Sequence, residues 1–138
     1  KRITYSAGGD TSPAWNPKTG QQVAFVSDRG GTPQLYLMNA DGSNIQRLTN
    51  NEVRDNQAEW SKDSRTIYFM TEIDGVESLC AMDVEGRNVR KIADGKVIRG
   101  SNISKDGKKF VYERYVNEKS GIYIYNIKTK KEKLVIEG

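Results

Sequence analysis

Residues 12–49 read SPAWNPKTGQQVAFVSDRGGTPQLYLMNADGSNIQRLT, and they contain the strand and turn signals from which the fold is predicted. Two apolar runs, residues 23–26 and 35–38, are each four residues long and lie between segments rich in Gly, Pro, Asn and Asp. Short runs of this kind between turn residues are typical of β-strands. Residues 39–42 place a Gly that tolerates positive φ three residues after an Asn, which predicts a hairpin. Shorter strands before and after complete a predicted unit of four strands.

The same unit occurs three times along the chain. Trp15 and Trp60 stand at the same point of the first two copies, 45 residues apart, and Ile103 follows 43 residues later in the third. A period of about 40 to 45 residues is typical of the four-stranded blades of β-propellers. The predicted blades cover residues 12–54, 55–97 and 98–138 of a single propeller segment, residues 1–138. Residues 1–11 are interpreted as the last strand of a preceding blade and its connecting loop.

The third strand of each unit is apolar on both of its faces. In the first copy Leu35 and Leu37 alternate with Tyr36 and Met38, and the second copy has Cys80 within the same pattern. A sheet with one face in water would show polar residues at one of the two sets. Stacking of blade on blade requires burial on both faces, whereas two packed sheets would not need one pattern three times. The sequence therefore predicts an all-β fold, a β-propeller of three four-stranded antiparallel blades, with Cys80 in its packing.

These residues resemble the repeats of TolB-type propellers. In that family a Trp-Ser-Pro-Asp-Gly-like turn precedes an apolar strand, a Ser-Asp-Arg-Gly loop and a Tyr-x-Met-Asx-x-Asp-Gly hairpin, and residues 12–49 match this pattern closely. The second copy has residues 71–75 in place of the Ser-Asp-Arg-Gly loop, and the third has Ile103 in place of Trp and a longer predicted loop. The N-terminal α/β domain of TolB proteins has no counterpart in the 138 residues.

The resemblance implies a six-bladed propeller, of which this sequence supplies three blades. An open ring exposes the apolar faces of its end blades. Two interpretations stay open: the chain is a partial propeller from a longer protein, or it is half of a six-bladed ring that a homodimer closes by twofold symmetry. The strand predicted at the N-terminus favours the first interpretation.

Patterns for catalysis and metal binding are missing from the sequence. It contains no His, one Cys, and neither Gly-x-Ser-x-Gly nor Ser-x-x-Lys. These absences exclude a Ser-His-Asp or Cys-His active site within the chain, an intrachain disulfide, and a zinc site built from His or Cys. The hairpin at residues 39–42 carries a carboxylate but lacks the ligand order of a calcium loop. We expect no catalytic residue, no metal ion and no cofactor.

Charge and hydropathy limit the partners further. The net charge is +4, and the surplus comes from residues 98–138, where the basic side chains are spread over separate predicted strands and turns. This spread predicts a solvated surface and no nucleic-acid patch. The apolar runs are far shorter than the ~20 residues that cross a bilayer, so no membrane insertion is expected, and the N-terminus lacks the apolar core of a signal peptide. The TolB resemblance alone implies a periplasmic or otherwise exported protein.

Loops at one end of the blades are the expected binding surface. In a propeller the connections from fourth to first strands and from second to third strands emerge on the same face, and partners usually bind such loops. We name this surface the loop face. Its candidate binding residues are Asp10, Arg29, Arg54, Asp55, Arg99 and Arg114. Their mixed charge suits polar recognition of a protein partner.

The sequence therefore predicts a non-catalytic, protein-binding propeller scaffold of the bacterial cell envelope. The TolB resemblance implies that its partner is a peptidoglycan-associated lipoprotein of the envelope. Two alternatives stay open. One is the substrate-gating propeller of a serine peptidase of the prolyl-oligopeptidase type. The other is a carbohydrate-binding surface propeller, for which Tyr5 and Tyr115 are the candidate loop aromatics.

Overall fold

The computed structural model describes residues 1–94 and 98–137, which form twelve β-strands and no helix. Blade 1 contains β1 (Asp10–Trp15), β2 (Gln22–Ser27), β3 (Gln34–Asn39) and β4 (Gln46–Arg47). Blade 2 contains β5 (Asn56–Trp60), β6 (Thr66–Ile73), β7 (Val76–Asp83) and β8 (Arg90–Asp94). Blade 3 contains β9 (Ile98–Ile103), β10 (Lys109–Val116), β11 (Lys119–Asn126) and β12 (Lys131–Glu137). In the described part of the chain, no helix is long and apolar enough to cross a membrane.

Each blade is an antiparallel sheet whose strands follow one another in chain order. The hairpins between third and fourth strands are closed by Gly42 and Gly86, with φ of 89° and 79°. Their N–H groups donate to the carbonyl oxygens of Asn39 and Asp83 at 2.9 and 2.8 Å. These features confirm the predicted all-β fold of three four-stranded blades and the predicted Asx-to-Gly turns.

Two hydrophobic cores lie between successive blades. The first joins apolar side chains of blades 1 and 2, and it contains Ala24, Leu35, Leu37, Ala58, Trp60, Ile67, Phe69, Cys80 and Met82. The second joins blades 2 and 3, and it contains Tyr68, Met70, Leu79, Ala81, Phe110, Tyr112 and Tyr125. Blade 2 therefore buries both of its faces, as the alternation predicted. Cys80 is fully buried in the first core, and burial, together with the charge of Asp55, raises the pKa of its thiol to about 11.

Trp15, Trp60 and Ile103 occupy equivalent positions in the three blades. Each is the last residue of its first strand, and they pair with Val23, Ile67 and Phe110 on the neighbouring strand. Their surroundings differ, because Trp60 is 5% exposed whereas Trp15 is 60% exposed. The indole of Trp60 is covered by blade 1, and no described residue covers Trp15 in the same way.

The first strand of each blade is interrupted by a bulge at the same point. Ser12, Gln57 and Gly100 have φ of 50°, 54° and 60° there, and the strand register shifts beside each of them. An L-residue rarely adopts positive φ, and a bulge bends its strand and re-aims the neighbouring side chains. Because the bulge recurs three times, it is a feature of the repeat.

The predicted loops of blades 2 and 3 were too long. The polar composition predicts loops at residues 72–76 and 113–120, but β6 and β7 are joined by Asp74 and Gly75 alone, and β10 and β11 by Asn117 and Glu118 alone. All four of these residues have positive φ, which is typical of two-residue hairpins. Glu113 and Tyr115 of blade 3 lie on a strand face that is exposed, which accounts for the loop-like composition of this part of the sequence.

Residues 1–9 contain no strand, whereas a strand was predicted there. They nevertheless run past blade 1 as the end of blade 1 runs past blade 2. A Cβ atom on Gly42 would lie 2.4 Å from the carbonyl oxygen of Ile3, and one on Gly86 would lie 2.6 Å from that of Leu48. Ile3 thus approaches the hairpin of blade 1 as Leu48 approaches the hairpin of blade 2. Glycine is required at both positions because each combines positive φ with close backbone contact.

Candidate binding face

Hydrogen bonds bring the predicted connections together on one face. The N–H of Gly9 donates to Asp28 Oδ1 at 2.7 Å, and the N–H of Asp55 donates to the carbonyl of Pro33 at 3.0 Å. At the other end of blade 1, the N–H of Ala40 donates to the carbonyl of Gln21 at 2.8 Å. We name that end the hairpin face, because it carries the turns that join first to second strands and third to fourth strands. The connections of blade 1 and the start of blade 2 are thus tied together on the loop face.

Asp10 and Arg29 pair with each other at the edge of blade 1. Arg29 Nη2 lies 2.9 Å from Asp10 Oδ1, and Arg29 Nε donates to Ser27 Oγ at 2.9 Å. The guanidinium carbon lies 5.2 Å and 5.0 Å from the ring centroids of Phe25 and Tyr36, within cation–π range. The Arg29 side chain is only 21% exposed. Its main effect is to fix the Ser-Asp-Arg-Gly loop.

The environment of Asp10 keeps it ionised. Burial opposes ionisation, but hydrogen bonds from Ser27, Arg29, Thr4 and Ser6 outweigh it and lower the pKa of Asp10 from 3.8 to about 2. Ser6 Oγ donates to Asp10 Oδ2 at 3.1 Å and ties the loop before β1 to the same carboxylate. One carboxylate therefore organises both loops of this blade.

Asp55 occupies the equivalent place in blade 2 and is fully buried. Thr71 Oγ1 donates a short hydrogen bond to Asp55 Oδ1, and Asn51 Nδ2 donates to Asp55 Oδ2 at 2.9 Å. The carboxylate and its hydroxyl donor recur from blade 1, where Ser27 stands in the position of Thr71. Blade 3 departs from this pattern, since its sequence has Ile98 at the equivalent position.

Arg114 lies on β10, on the face of blade 3 that packs toward blade 2. Its Nη1 lies 2.8 Å from Glu132 Oε1 and 2.5 Å from Glu132 Oε2, and its guanidinium is 5.8 Å from the Tyr123 ring. Tyr112 also donates a short hydrogen bond to Glu132 Oε1. Burial and this bond to a carboxylate raise the pKa of the Tyr112 hydroxyl. The three side chains form one network that fastens β12 to β10.

Arg54 differs from the other predicted binding residues. It is exposed on the loop before β5, and among the described residues no hydrogen bond or ion pair involves its side chain. Arg99 lies in β9, but its side chain is outside the part of the chain that the structure describes. Of the six candidates, Arg54 is therefore the one that the structure shows available to a partner.

Sequence reasoning missed the partners of these charges and one further carboxylate. Ser27, Thr71 and Glu132 were not singled out, although a hydroxyl residue follows Asp10 after 17 positions and Asp55 after 16, which could have indicated the first two. Glu59 lies between blades 2 and 3, where its Oε2 is buried without a hydrogen-bond partner. Burial raises the pKa of Glu59 from 4.5 to about 7, and a hydrogen bond from the Ile103 main chain only partly opposes this shift.

Within residues 1–94 and 98–137, no cluster of three His, Cys, Asp or Glu side chains is placed to hold a metal ion. On the loop face, Asp10 pairs with Arg29, Asp55 accepts hydrogen bonds from Asn51 and Thr71, and Arg114 pairs with Glu132, whereas Arg54 is exposed without such a partner in the described chain. Such an arrangement provides a preformed surface with fixed loops and a free cation, which suits recognition of another macromolecule.

Comparison with known proteins agrees with this architecture. The family model described as "TolB beta propeller domain" matches residues 1–97. The chain belongs to the TolB β-propeller domain family. Residues of the chain are 33% identical over 70 residues to "Tol-Pal system protein TolB" of Geobacter sulfurreducens, covering 49% of this chain and 16% of that protein. They are 32% identical over 77 residues to "Uncharacterized peptidase YuxL" of Bacillus subtilis, covering 55% of this chain and 12% of that protein.

A solved structure shows the same TolB-type fold. The putative TolB of Agrobacterium tumefaciens superposes with a TM-score of 0.85 at 22% identity, covering 98% of this chain and 51% of that one. The chain thus spans about half of that propeller protein and a smaller part of the two sequence relatives. The family and the fold follow from these matches. TolB-type propeller repeats are shared by relatives with different names.

Proposed function

We propose that this TolB-type propeller is a non-catalytic protein-binding scaffold of the bacterial cell envelope, exported to the periplasm. Family membership and the relative named as a Tol-Pal system protein support this role. The observation that carries it is the loop face, where buried carboxylates fix the loops and Arg54 stays free. A rigid surface loses little conformational entropy on binding, which favours a scaffold.

The proposed partner is an envelope lipoprotein that presents carboxylates to the loop face. Arg54 supplies the positive charge for this contact, with Arg99 as the second proposed contact, and Asp10, Arg29, Asp55 and the Arg114–Glu132 pair hold the surrounding structure in place. Asp55 is fully buried, so its contribution is positional. A charge of one sign on the rim of an interface mainly directs partner choice and association rate.

A binding assay with charge reversal tests this proposal. The purified soluble domain of a peptidoglycan-associated lipoprotein should bind the wild-type chain, and Arg54→Glu should weaken binding at least tenfold at low salt. Arg87→Glu is the matched control. Arg87 is exposed in the turn between β7 and β8, which lies on the hairpin face and not on the loop face. Wild-type chain that retains no lipoprotein would contradict the partner, and equal binding by both variants would contradict the loop face.

A homodimer that closes a six-bladed ring is the second partner that we propose. The chain covers 51% of the Agrobacterium propeller protein, so two copies supply the length of one such chain. The outer faces of blades 1 and 3 also expose apolar side chains, among them Trp15 and Ile122. Light scattering on the purified chain should give twice its 15.5 kDa mass. A mass of one chain at all concentrations would contradict the homodimer.

A peptidase propeller is the competing function, and the similarity to YuxL favours it. In that case the propeller would control access of peptides to a catalytic domain on the same polypeptide. The gene sequence on both sides of these 138 residues is decisive. A neighbouring α/β-hydrolase domain with Gly-x-Ser-x-Gly would replace the scaffold proposal with the peptidase.

A further inference from the structure

The turns of the hairpin face carry a surplus of positive charge. These turns are residues 16–21, 40–45, 61–65, 84–89, 104–108 and 127–130, and they contain eight basic and four acidic residues. The described connections of the loop face are residues 28–33, 48–55, 74–75 and 117–118, and they contain two basic and five acidic residues. Basic residues that are spread along the sequence are thus gathered at one end of the blades.

The turns between first and second strands contact one another from blade to blade. The N–H of Lys18 donates to Ser64 Oγ at 3.3 Å, and Ser64 Oγ donates to Asn16 Oδ1 at 2.6 Å, which joins blades 1 and 2. A Cβ atom on Gly107 would lie 2.9 Å from Cβ of Lys62, so the turns of blades 2 and 3 also touch. We name the exposed basic residues of these three turns the basic row: Lys18, Lys62, Arg65, Lys105 and Lys108.

The two carboxylates within these turns are held by their own turns. Asp63 Oδ1 accepts hydrogen bonds from Ser61 Oγ at 2.6 Å and from the N–H of Arg65 at 3.1 Å. Asp106 accepts the equivalent pair in blade 3, at 2.6 and 3.0 Å. These hydrogen bonds lower the pKa of both carboxyl groups. Among the described residues, no ion pair involves a side chain of the basic row, so its five cations outnumber the two local carboxylates.

Two aliphatic side chains are exposed on the same face. Ile45 and Val89 are the last residues of the β3–β4 and β7–β8 turns, and they are 41% and 56% exposed. Each follows an Asn with φ of 53°, Asn44 or Asn88, so the two turns present them in the same way. Proteins that rest on a bilayer combine cations, which are attracted to anionic headgroups, with apolar side chains that enter the boundary with the acyl chains.

Other polyanions use fewer of these features. Four of the five cations in the basic row are Lys, which attracts phosphate as a point charge and lacks the bidentate geometry of Arg. The six turns contain no Trp, Tyr or Phe, so they offer no platform on which the bases of a single-stranded nucleic acid could stack. A dissolved polyanion also gains nothing from Ile45 and Val89. An anionic bilayer engages both the charge and the aliphatic side chains.

We propose that the hairpin face binds the surface of a bilayer that contains anionic phospholipids, with the basic row at the headgroup phosphates and Ile45 and Val89 at the boundary with the acyl chains. The contact rests on the membrane and does not span it. Because the loop face lies at the other end of the blades, it stays accessible to a protein partner. The lipid contact does not depend on that partner.

Flotation with lipid vesicles tests the charged part of the contact. The chain should float with vesicles of phosphatidylcholine and phosphatidylglycerol, remain unbound with phosphatidylcholine alone, and be released by salt, which screens the attraction. The double variant Lys62→Glu and Lys105→Glu, at equivalent positions of two turns, should bind at least about tenfold more weakly. The double variant Lys119→Glu and Lys133→Glu is the matched control, because it has the same net charge and both positions are exposed outside the hairpin face.

The control variant should lose at most about threefold in vesicle affinity, because its reversed charges lie farther from the headgroups. Equal losses for the two double variants would show that net charge alone matters and would overturn the assignment to the hairpin face. Circular dichroism of each variant separates these results from loss of folding. No flotation of the wild-type chain with anionic vesicles at low salt would overturn the proposal as a whole.

A second variant separates lipid from a dissolved anion. Ile45→Ser combined with Val89→Ser leaves every charge in place, so vesicle binding should weaken at least about threefold while its salt dependence stays the same. Inorganic polyphosphate is the soluble probe, and it should bind this variant and the wild type equally. Full vesicle affinity of the serine variant, or polyphosphate binding tighter than vesicle binding, would overturn the bilayer and assign the face to a soluble polyanion.

Discussion

The indole N–H of Trp60 donates a 2.9 Å hydrogen bond to the carbonyl of Ala14 and so joins the first strands of blades 1 and 2. Both groups are shielded by the core between the blades, where an unpaired carbonyl would be costly. The equivalent indole of Trp15 is exposed. Two residues with the same place in the repeat therefore have different energetic roles.

Trp60→Phe should lower the free energy of unfolding by about 1–3 kcal/mol, because it removes the hydrogen bond and leaves a small cavity. Urea denaturation at low protein concentration measures the loss. Trp15→Phe is the matched control and should change stability by less than about 0.5 kcal/mol, as expected at an exposed site. Equal losses for the two variants would show that the Trp60 bond contributes nothing.

Asp10→Asn should destabilise the fold near neutral pH by about 1–2 kcal/mol, since it weakens the hydrogen bonds from Arg29 and Ser27. The pKa of Asp10 is lowered from 3.8 to about 2, so the ionised carboxylate stabilises the fold above pH 3.8. That contribution is lost as the pH falls through about 2. Unfolding measured from pH 7 down to pH 2 should show the wild type converging on the variant. A constant gap across this range would contradict the ion pair.

Glu59→Gln should raise stability at pH 8 by about 1 kcal/mol, because it removes a buried, incompletely bonded charge. The pKa of Glu59 is raised from 4.5 to about 7, so the folded state keeps a proton that the unfolded state releases. Wild-type stability should therefore fall as the pH rises from 4.5 to about 7 and then level off. Denaturant midpoints across this range measure the slope. Glu85→Gln, at an exposed turn, should leave the slope unchanged.

Thr71→Val should cost about 1–3 kcal/mol, since buried Asp55 loses its hydroxyl donor at nearly constant side-chain volume. Thr71→Ser keeps the hydroxyl, as blade 1 does with Ser27, and should cost clearly less. Thermal or urea unfolding separates the two variants. If the serine variant were as unstable as the valine variant, the methyl group of Thr71 would be the stabilising part.

The fold could be predicted from the sequence because its unit is repeated. Each blade uses local signals, such as the Asn39-to-Gly42 turn and the alternation around Tyr36, and three copies of one pattern leave few alternative architectures. The extended hairpin of blade 3 was missed for a physical reason. Its outer face is exposed, so residues such as Glu113 are polar although they lie in a strand.

The side-chain partners of the loop-face residues could not be predicted from the sequence. Their charge and their loops could be read from the sequence, but Asp10, Arg29, Asp55 and Arg114 have partners within the chain. Some of these partners lie 16 to 19 residues away, as for Thr71 and Asp55 or Arg29 and Asp10. Sequence order does not state which side chains meet after the strands have paired.

The β-blade, its four strands, its turns and its threefold repetition could all be predicted from the sequence, because these depend on local propensity and on the period of apolar residues. Tertiary packing sets which charges are buried and paired, leaves Arg54 exposed without a partner among the described residues, and covers one of two equivalent tryptophans. The physical reason is that burial is a property of neighbours. Trp15 and Trp60 share one sequence context, but a packed blade lies against Trp60 and not against Trp15.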